Sequence, residues 1–244
     1  MYVIDTSSNN GPNVPWKALR DHHGVGGGIV KFTQGSGYRN PDAPRDWRTL
    51  AQLGMERGAY LWPNPSDAPA ADIAYFLEYA NQIGGLKPGE PIFVDFEQSG
   101  GYTRERCDAW LIAAEAELDK RAAKQPVGVY ASNSFLEWLG VKTGPWNDYL
   151  VWVADYGANP QITNWYGHQF TDSFAGMGLD ASIFPRGLTK LELPPASTLT
   201  HQQAVVLHAF IVSHYAPILR AKVWHEMTAH PENALAVLRS HKLI

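Results

Sequence analysis

Short, continuously apolar runs rich in β-branched residues recur along this chain and alternate with amphipathic segments. Runs of this kind are typical of strands that are buried on both faces of a parallel sheet. We predict eight such strands, at residues 2–5, 28–33, 58–62, 92–97, 127–131, 149–154, 165–170 and, with a less regular pattern, 179–184.

Amphipathic helices are predicted between the strands. One apolar face with i, i+3, i+4, i+7 spacing consists of Ile73, Phe76, Leu77, Ala80 and Ile83. A second consists of Cys107, Trp110, Leu111, Ala114 and Leu118, and Thr103 is its candidate N-cap. Strands that alternate with helices predict an α/β fold, here a parallel TIM-like (β/α) barrel. The barrel is expected to be irregular, because the segments after the last strands leave little room for helices.

A change in composition divides the chain. We predict a barrel over residues 1–192, a Pro-rich linker over 193–199 and a small helical annex over 200–244. The annex begins with a capping box of Thr200 and Gln203 and contains six of the nine histidines. From Pro195 onward, four Lys or Arg stand against two Asp or Glu. Binding of an anionic polymer and self-association, which would give a homo-oligomer, are the two roles that we expect for this segment.

Composition excludes several classes of protein. The net charge of −4 gives no basic surface for nucleic acid, and no apolar run approaches the roughly 20 residues of a membrane span. The one cysteine, Cys107, excludes an internal disulfide framework and lies on an apolar helix face, where we expect it to be core. The histidines lack metal-ligand spacing, so we expect no metal and no cofactor. The N-terminus has no basic, signal-like start.

Four carboxylates fall at strand ends. Asp5 ends the first strand, Asp95 and Glu97 end the fourth, and Asp180 begins the eighth. Residues i and i+2 of a strand share a face, and the C-terminal strand ends of a barrel form its active site. The first and eighth strands are neighbours in a closed barrel, so Asp5 and Asp180 can meet.

Carboxylates this close push each other's pKa values apart. Such a cluster supplies one protonated acid and ionised partners, as glycoside hydrolysis requires. The alternative is that each Asp is a turn residue or helix cap. Spacing alone leaves both interpretations open.

Seven segments of the chain, in order and spacing, resemble a known family. They read VIDTSSNNG, GIVKFTQGSGYRNP, RGAYLWP, IFVDFE, VGVYASNSFL, VWVADY and WYGHQFTDSFAGMGLDASIF. They resemble the glycoside hydrolase family 25 lysozymes, the Chalaropsis-type muramidases common in phage lysins, over about residues 1–190. The chain departs from the family pattern at two places. Just after the third strand, where the family often has an aromatic residue or His, it has Leu61-Trp62-Pro63, and where the family often has Asp-x-Asn, Asp180 is followed by Ala181-Ser182.

The resemblance implies a role for each acid. Glu97 would be the general acid that protonates the glycosidic oxygen. Asp95 would orient the 2-acetamido group of the substrate or support the intermediate. Asp5 and Asp180 would position substrate and balance charge. The implied mechanism is retention through participation of the 2-acetamido oxygen.

Further side chains near the strand ends are candidates for binding substrate. They are Lys31, Trp62, Tyr130, Trp152, Tyr156 and Gln169. The aromatic rings would stack on sugars, or would belong to the barrel core. Lys31 would bind sugar or stem-peptide groups, or would be a buried partner of Asp5 or Asp95.

The resemblance implies a peptidoglycan muramidase that cleaves the β-1,4 bond between N-acetylmuramic acid and N-acetylglucosamine. Its partner would be the glycan strands of the wall. It would act as a phage endolysin that collects in the host cytoplasm until a holin opens the membrane. The alternatives are a barrel that binds glycan without cutting it and a lysin carried in the virion.

Overall fold

The computed structural model describes residues 1–97, 101–121, 125–141, 149–157, 160–162 and 165–189. All of them belong to one unit of the chain, Met1–Leu191. The predicted linker at 193–199 and the predicted helical segment at 200–244 lie outside the described residues. Within the described part of the chain, no helix combines the length and apolar character needed to cross a membrane.

A closed barrel is the centre of the fold. Its sheet contains β1 Tyr2–Thr6, β2 Val25–Gln34, β3 Tyr38–Arg39, β4 Glu56–Trp62, β5 Ile92–Asp95, β6 Val127–Ser132, β7 Leu150–Ala154, β8 Gly167–Thr171 and β9 Asp180–Ile183. The order is β1-β9-β8-β7-β6-β5-β4-β2, and pairing of β1 with β2 closes the ring. β3 lies outside the ring as a short antiparallel partner of β2. The predicted irregular α/β barrel is confirmed.

The last strand corrects one part of that prediction. β9 runs antiparallel to both of its neighbours, β1 and β8, whereas a parallel strand was expected. The reason is the short connection from Thr171 to Asp180, because a parallel crossover needs roughly a dozen residues or more. The reversed strand places its first residue, Asp180, at the rim where the parallel strands end.

Five α-helices are described, α1 Trp16–His23, α2 Ala43–Gln52, α3 Pro69–Gln82, α4 Arg104–Lys120 and α5 Asn133–Leu139. The two predicted helices correspond to α3 and α4. Thr103 caps α4 by accepting a hydrogen bond from the Arg106 backbone N–H, and Cys107 is buried, as predicted. In the described ranges no α-helix follows β7 or β8, so the irregularity falls where the sequence predicts it.

Two apolar clusters show which face of each strand turns inward. One lies between the barrel and its helices and includes Ile4, Val30, Val94, Val129 and Val153. The other fills the barrel and consists of Val3, Ile29, Tyr60, Phe93, Tyr130, Leu150, Trp152, Phe184 and Leu188. Glycines make room inside, since a Cβ added at Gly167 would lie 2.3 Å from the Phe184 ring. Strand alternation then continues the inward face from Val3 to Asp5 and from Phe93 to Asp95.

Candidate active site

The four predicted acids come together at the C-terminal end of the barrel. Asp5 and Asp95 point inward at the ends of β1 and β5, and their side chains are almost fully buried, with 7% and 4% exposure. Glu97 follows β5 and is exposed. Asp180 pairs with Asp5 across the β1–β9 ladder. The barrel therefore concentrates negative charge in one place.

Burial and mutual repulsion raise the pKa values of the two inward acids. The pKa of Asp5 is raised well above its ordinary value by burial, then by the charges of Asp180 and Glu97. The pKa of Asp95 is likewise raised well above its ordinary value by burial and by Glu97, while Lys31 lowers it. Within the described residues, Oδ1 of Asp95 is buried and has no hydrogen-bond partner. That oxygen remains able to accept a bond from a ligand.

The two outer acids are also shifted toward the protonated form. Glu97 is an exposed residue, but partial burial of its carboxyl group raises its pKa. The positive charge of Lys31 acts in the opposite direction and lowers the pKa. The pKa of Asp180 is raised to about 6 by burial, then by the charges of Asp172 and Glu97. Carboxyl groups of this kind hold a proton at a higher pH than ordinary ones, which is what a general acid requires.

Lys31 supplies a positive charge to this cluster. It is buried on β2, its Nζ donates to Oε1 of Gln34 at 2.9 Å, and it lies 4.3 Å from the ring centre of Trp62. Burial lowers its pKa, whereas the charges of Asp95 and Glu97 raise it. Lys31 therefore acts electrostatically on Asp95 and Glu97, and its roles as a buried charge partner and as a substrate-binding group both stay open.

The candidate aromatic residues divide into two groups. Tyr156 is 50% exposed and Trp62 is partly exposed, so both have ring surface available to a ligand. Trp152 is only 2% exposed, and its Nε1 donates to Oγ of Ser182 at 2.9 Å. Tyr130 is also buried, with its ring centre 4.4 Å from that of Trp152. Burial of both rings inside the barrel favours the second interpretation of Trp152 and Tyr130, in which they belong to the core.

Gln169 is buried as well, with 2% exposure, and its amide contacts protein groups on both sides. Oε1 accepts from the hydroxyls of Tyr130 and Tyr156, and Nε2 donates to Oδ2 of Asp5. Direct binding of substrate by Gln169 stays a prediction, and these bonds show that its amide oxygen is already taken by protein groups.

Two residues of the site were missed. Tyr60 is buried beneath the acids, and burial followed by the charge of Asp95 raises the pKa of its hydroxyl. Its position two residues before Trp62 on a predicted strand was an available signal for an inward side chain. Asp172 lies just after β8, in a connection without a pattern that could identify it. In the described ranges, no cluster of three or more His, Cys, Asp or Glu side chains could hold a metal.

A curated relative matches part of the chain. Over 132 residues, the chain is 29% identical to a protein of Escherichia coli O6:H1 described as Uncharacterized protein YegX. The match covers 52% of this chain and 45% of that protein. The chain thus spans about half the length of the curated relatives that it matches.

Solved structures share the barrel. A family 25 glycosyl hydrolase from Bacillus anthracis has a TM-score of 0.64 at 17% identity, covering 76% of this chain and 88% of that one. The CTP1L endolysin has a TM-score of 0.58 at 25% identity, with coverage of 76% and 66%. The autolysin LytC of Streptococcus pneumoniae, in complex with a synthetic peptidoglycan ligand, has a TM-score of 0.59 at 25% identity, with coverage of 74% and 46%.

The profile of one family spans most of the barrel. The family described as Glycosyl hydrolases family 25 matches residues 4–179, which is more than half of the chain. This range holds Asp5, Asp95 and Glu97 and ends one residue before Asp180. The match confirms the resemblance seen in the sequence, and the chain belongs to glycosyl hydrolase family 25.

Proposed function

We propose that this protein is a peptidoglycan hydrolase, an N-acetylmuramidase that cleaves the β-1,4 bond between N-acetylmuramic acid and N-acetylglucosamine. The observation that carries the proposal is the cluster of Asp5, Asp95, Glu97 and Asp180 at the C-terminal end of a family 25 barrel. The likeness to LytC, solved with a peptidoglycan ligand, supports the substrate class.

Glu97 is the general acid of the proposed reaction. Its exposed position lets it reach a glycosidic oxygen, and burial of its carboxyl group raises its pKa toward the protonated form. A glycan that covers Glu97 removes more water from it and raises its pKa further. The proton passes to the leaving oxygen as the C1–O bond breaks. The resulting Glu97 carboxylate then takes a proton from the water whose oxygen bonds to C1, and the bond between C1 and the acetamido oxygen breaks at the same time.

Asp95 acts on the 2-acetamido group. In the proposed first step, the acetamido oxygen bonds to C1 as the leaving group departs, which gives a positively charged oxazolinium ring. The buried Oδ1 of Asp95, without a protein partner among the described residues, is suited to accept the acetamido N–H. Lys31 lowers the pKa of Asp95 and thereby favours its carboxylate form. That negative charge stabilises the ring as it forms.

Asp5 and Asp180 complete the site. They face each other at the ends of β1 and β9, so they add negative charge close to where positive charge develops. Tyr156 and Trp62 offer ring surface for the sugars that flank the cleaved bond.

The test is to identify the cleaved bond by mass spectrometry of purified peptidoglycan after digestion and borohydride reduction. A muramidase leaves N-acetylmuramic acid at the new reducing end, where reduction converts it to the muramitol. Reduced N-acetylglucosamine would show a glucosaminidase, and free peptide without new reducing ends would show a peptidase or amidase. Glycan that binds but gives no products would show a non-hydrolytic barrel. Glu97→Gln protein serves as the control for contaminating activity.

We further propose that the protein is a phage endolysin that acts from the host cytoplasm after holin-type release. The support is its likeness to the CTP1L endolysin. Expression in a bacterial host should cause lysis only when a holin is expressed with it. Lysis without the holin would contradict this localisation, and detection of the protein in purified virions would favour a virion-associated lysin.

The segment at 200–244 is proposed to bind the wall or to join copies of the chain. Its basic balance, against a net charge of −4 for the whole chain, suits anionic wall polymers.

A further inference from the structure

Gln169 lies at the centre of a buried hydrogen-bond network. Its Oε1 accepts from the Tyr130 hydroxyl at 2.7 Å and from the Tyr156 hydroxyl at 2.9 Å. Its Nε2 donates to Oδ2 of Asp5 at 3.0 Å. The side chain thus joins β8 to β6 and to β1 at the level of the acids.

The two phenols determine which way the amide faces. Burial and the surrounding carboxylates raise the pKa values of Tyr130 and Tyr156, so both hydroxyls keep their protons and can donate. An amide oxygen has two lone pairs, and these two hydroxyls occupy both. A rotated amide would turn its oxygen toward Asp5 and its N–H groups toward two donors. The N–H therefore faces Asp5.

This N–H favours the negative charge of Asp5, whereas the other acids around Asp5 disfavour it. Burial, Asp180 on β9 and Glu97 after β5 all raise the pKa of Asp5, whereas the Gln169 hydrogen bond lowers it. Asp95 on β5 and Tyr60 on β4 also interact electrostatically with Asp5. A donor aimed at the carboxylate favours its ionised form, because the N–H hydrogen bond stabilises the negative charge more than it stabilises the neutral acid.

We propose that Gln169 is a positioning residue, held by Tyr130 and Tyr156, whose N–H orients the Asp5 carboxyl group toward the reacting sugar and favours its carboxylate form. This inference rests on the proposed muramidase activity. It assigns the two tyrosines a function that does not require sugar stacking, since they act on Asp5 through the amide. A purely structural tie between β6 and β8 would stabilise the barrel but would leave the titration of Asp5 unchanged.

The first measurement is the titration of the Asp5 carboxyl carbon by NMR in the free protein. Gln169→Met keeps the length of the side chain and removes all three hydrogen bonds. It should move the Asp5 midpoint upward by roughly one pH unit. Gln169→Glu keeps an acceptor for the phenols but places an oxygen against Oδ2 of Asp5, so its shift should be larger. An Asp5 midpoint that matches the wild-type value in both variants would overturn the inference.

Kinetics give the second measurement. In Gln169→Met, kcat should fall at least tenfold at mildly acidic pH with little change in KM, and the acidic limb should move upward with the Asp5 midpoint. Ser182→Ala is the matched control, because it removes another buried hydrogen bond inside the barrel, from Trp152, without touching Asp5. It should leave both limbs in place. An equal shift in Ser182→Ala would show that loosening of the barrel, and not Gln169, moves the profile.

Tyr156→Phe keeps the inference testable if Gln169→Met does not fold. Its hydroxyl is on a half-exposed side chain, so the barrel tolerates the change, and the Asp5 midpoint should rise by a smaller amount. An unchanged midpoint there would overturn the inference. Absence of muropeptide release by the wild-type protein would instead refute the proposed function, while the carboxyl titration would still report on Gln169.

Discussion

Asp5 and Asp180 lie directly opposite each other because the last strand of the barrel is reversed. β1 ends near the rim that carries the acids, and β9 begins there, so their antiparallel register pairs Asp5 with Asp180. A parallel β9 would have placed its first residue at the far end of the barrel, away from Asp5. The reversal thus places a repelling pair of carboxylates at the proposed active site, where the repulsion lowers the stability of the fold.

Replacing Asp180 by Asn should therefore stabilise the fold at neutral pH. The pKa of Asp180 is about 6 in the fold against an ordinary 3.8, so the folded state binds more protons between these values and stability falls as pH rises through this window. Asp180→Asn removes that loss. We expect a gain of about 1–2 kcal/mol in unfolding free energy at pH 7, allowing for partial exposure, and none at pH 3.

Urea denaturation of wild-type and variant protein across pH measures this effect. Asp67→Asn is the control, because hydrogen bonds from Ser36 lower the pKa of Asp67 and this substitution should not stabilise. A constant difference between Asp180→Asn and wild type at every pH would contradict the electrostatic explanation.

The strands and the inward placement of Asp5 and Asp95 could be predicted because both depend on local signals. Buried strands appear as apolar runs, and alternation along β1 and β5 places Asp5 and Asp95 on the inward face that begins with Val3 and Phe93. The Thr103 cap and the apolar face of α4 could be predicted for the same reason, because each depends on residues that are close together in the chain.

Local signals could not predict the direction of β9, the depth at which Trp152 is buried or the hydrogen-bond partners of Gln169. Alternation places Trp152 on the inward face but does not say at which layer, and Phe93 and Phe184 enclose it below the acids. The hydrogen-bond partners of Gln169 are 39, 13 and 164 residues away in the chain, so no local pattern reveals them.

Glu97→Gln should lose roughly 10²–10⁴-fold in kcat on peptidoglycan, because the amide cannot supply the proton. Thermal unfolding and circular dichroism should stay close to wild type, since Glu97 is exposed and follows the end of β5. Glu105→Gln, at an exposed acid of the first turn of α4, is the control and should keep activity. Retention of near-normal turnover by folded Glu97→Gln protein would contradict its role as the acid.

Asp95→Asn should lose at least roughly 10²-fold in kcat, because a neutral amide does not stabilise the developing oxazolinium charge. De-N-acetylated glycan should be a poor substrate for the wild type for the same reason. If Asp95 acts through the acetamido group, the two losses should not add when the variant is tested on that substrate. Additive losses would show that Asp95 acts elsewhere in the reaction.

Removal of residues 193–244 tests the proposed role of the C-terminal segment. The family profile ends at residue 179, so the shortened chain should still cleave soluble muropeptide oligomers. Binding to intact walls should fall, or the mass in solution should change, as measured by pull-down and light scattering. If neither changes, wall binding and self-association are both wrong, and if the barrel unfolds, the predicted boundary is wrong.

Lys31→Met should move the whole pH–activity profile to higher pH. The Lys31 charge lowers the pKa values of both Asp95 and Glu97, so its removal raises both. The acidic limb, where Asp95 must ionise, and the basic limb, where Glu97 loses its proton, should both rise by roughly one pH unit.

The matched control for this prediction is Lys17→Met on α1, where Lys17 is exposed and pairs with Asp21. That variant should keep the wild-type profile, since its charge acts on none of the four acids. Initial rates on soluble glycan, measured from pH 4 to pH 9 over a range of substrate concentrations, give kcat and KM at each pH and separate the two explanations for Lys31. A fall in rate that is equal at every pH, with a higher KM, would mean that Lys31 binds substrate and does not tune the acids.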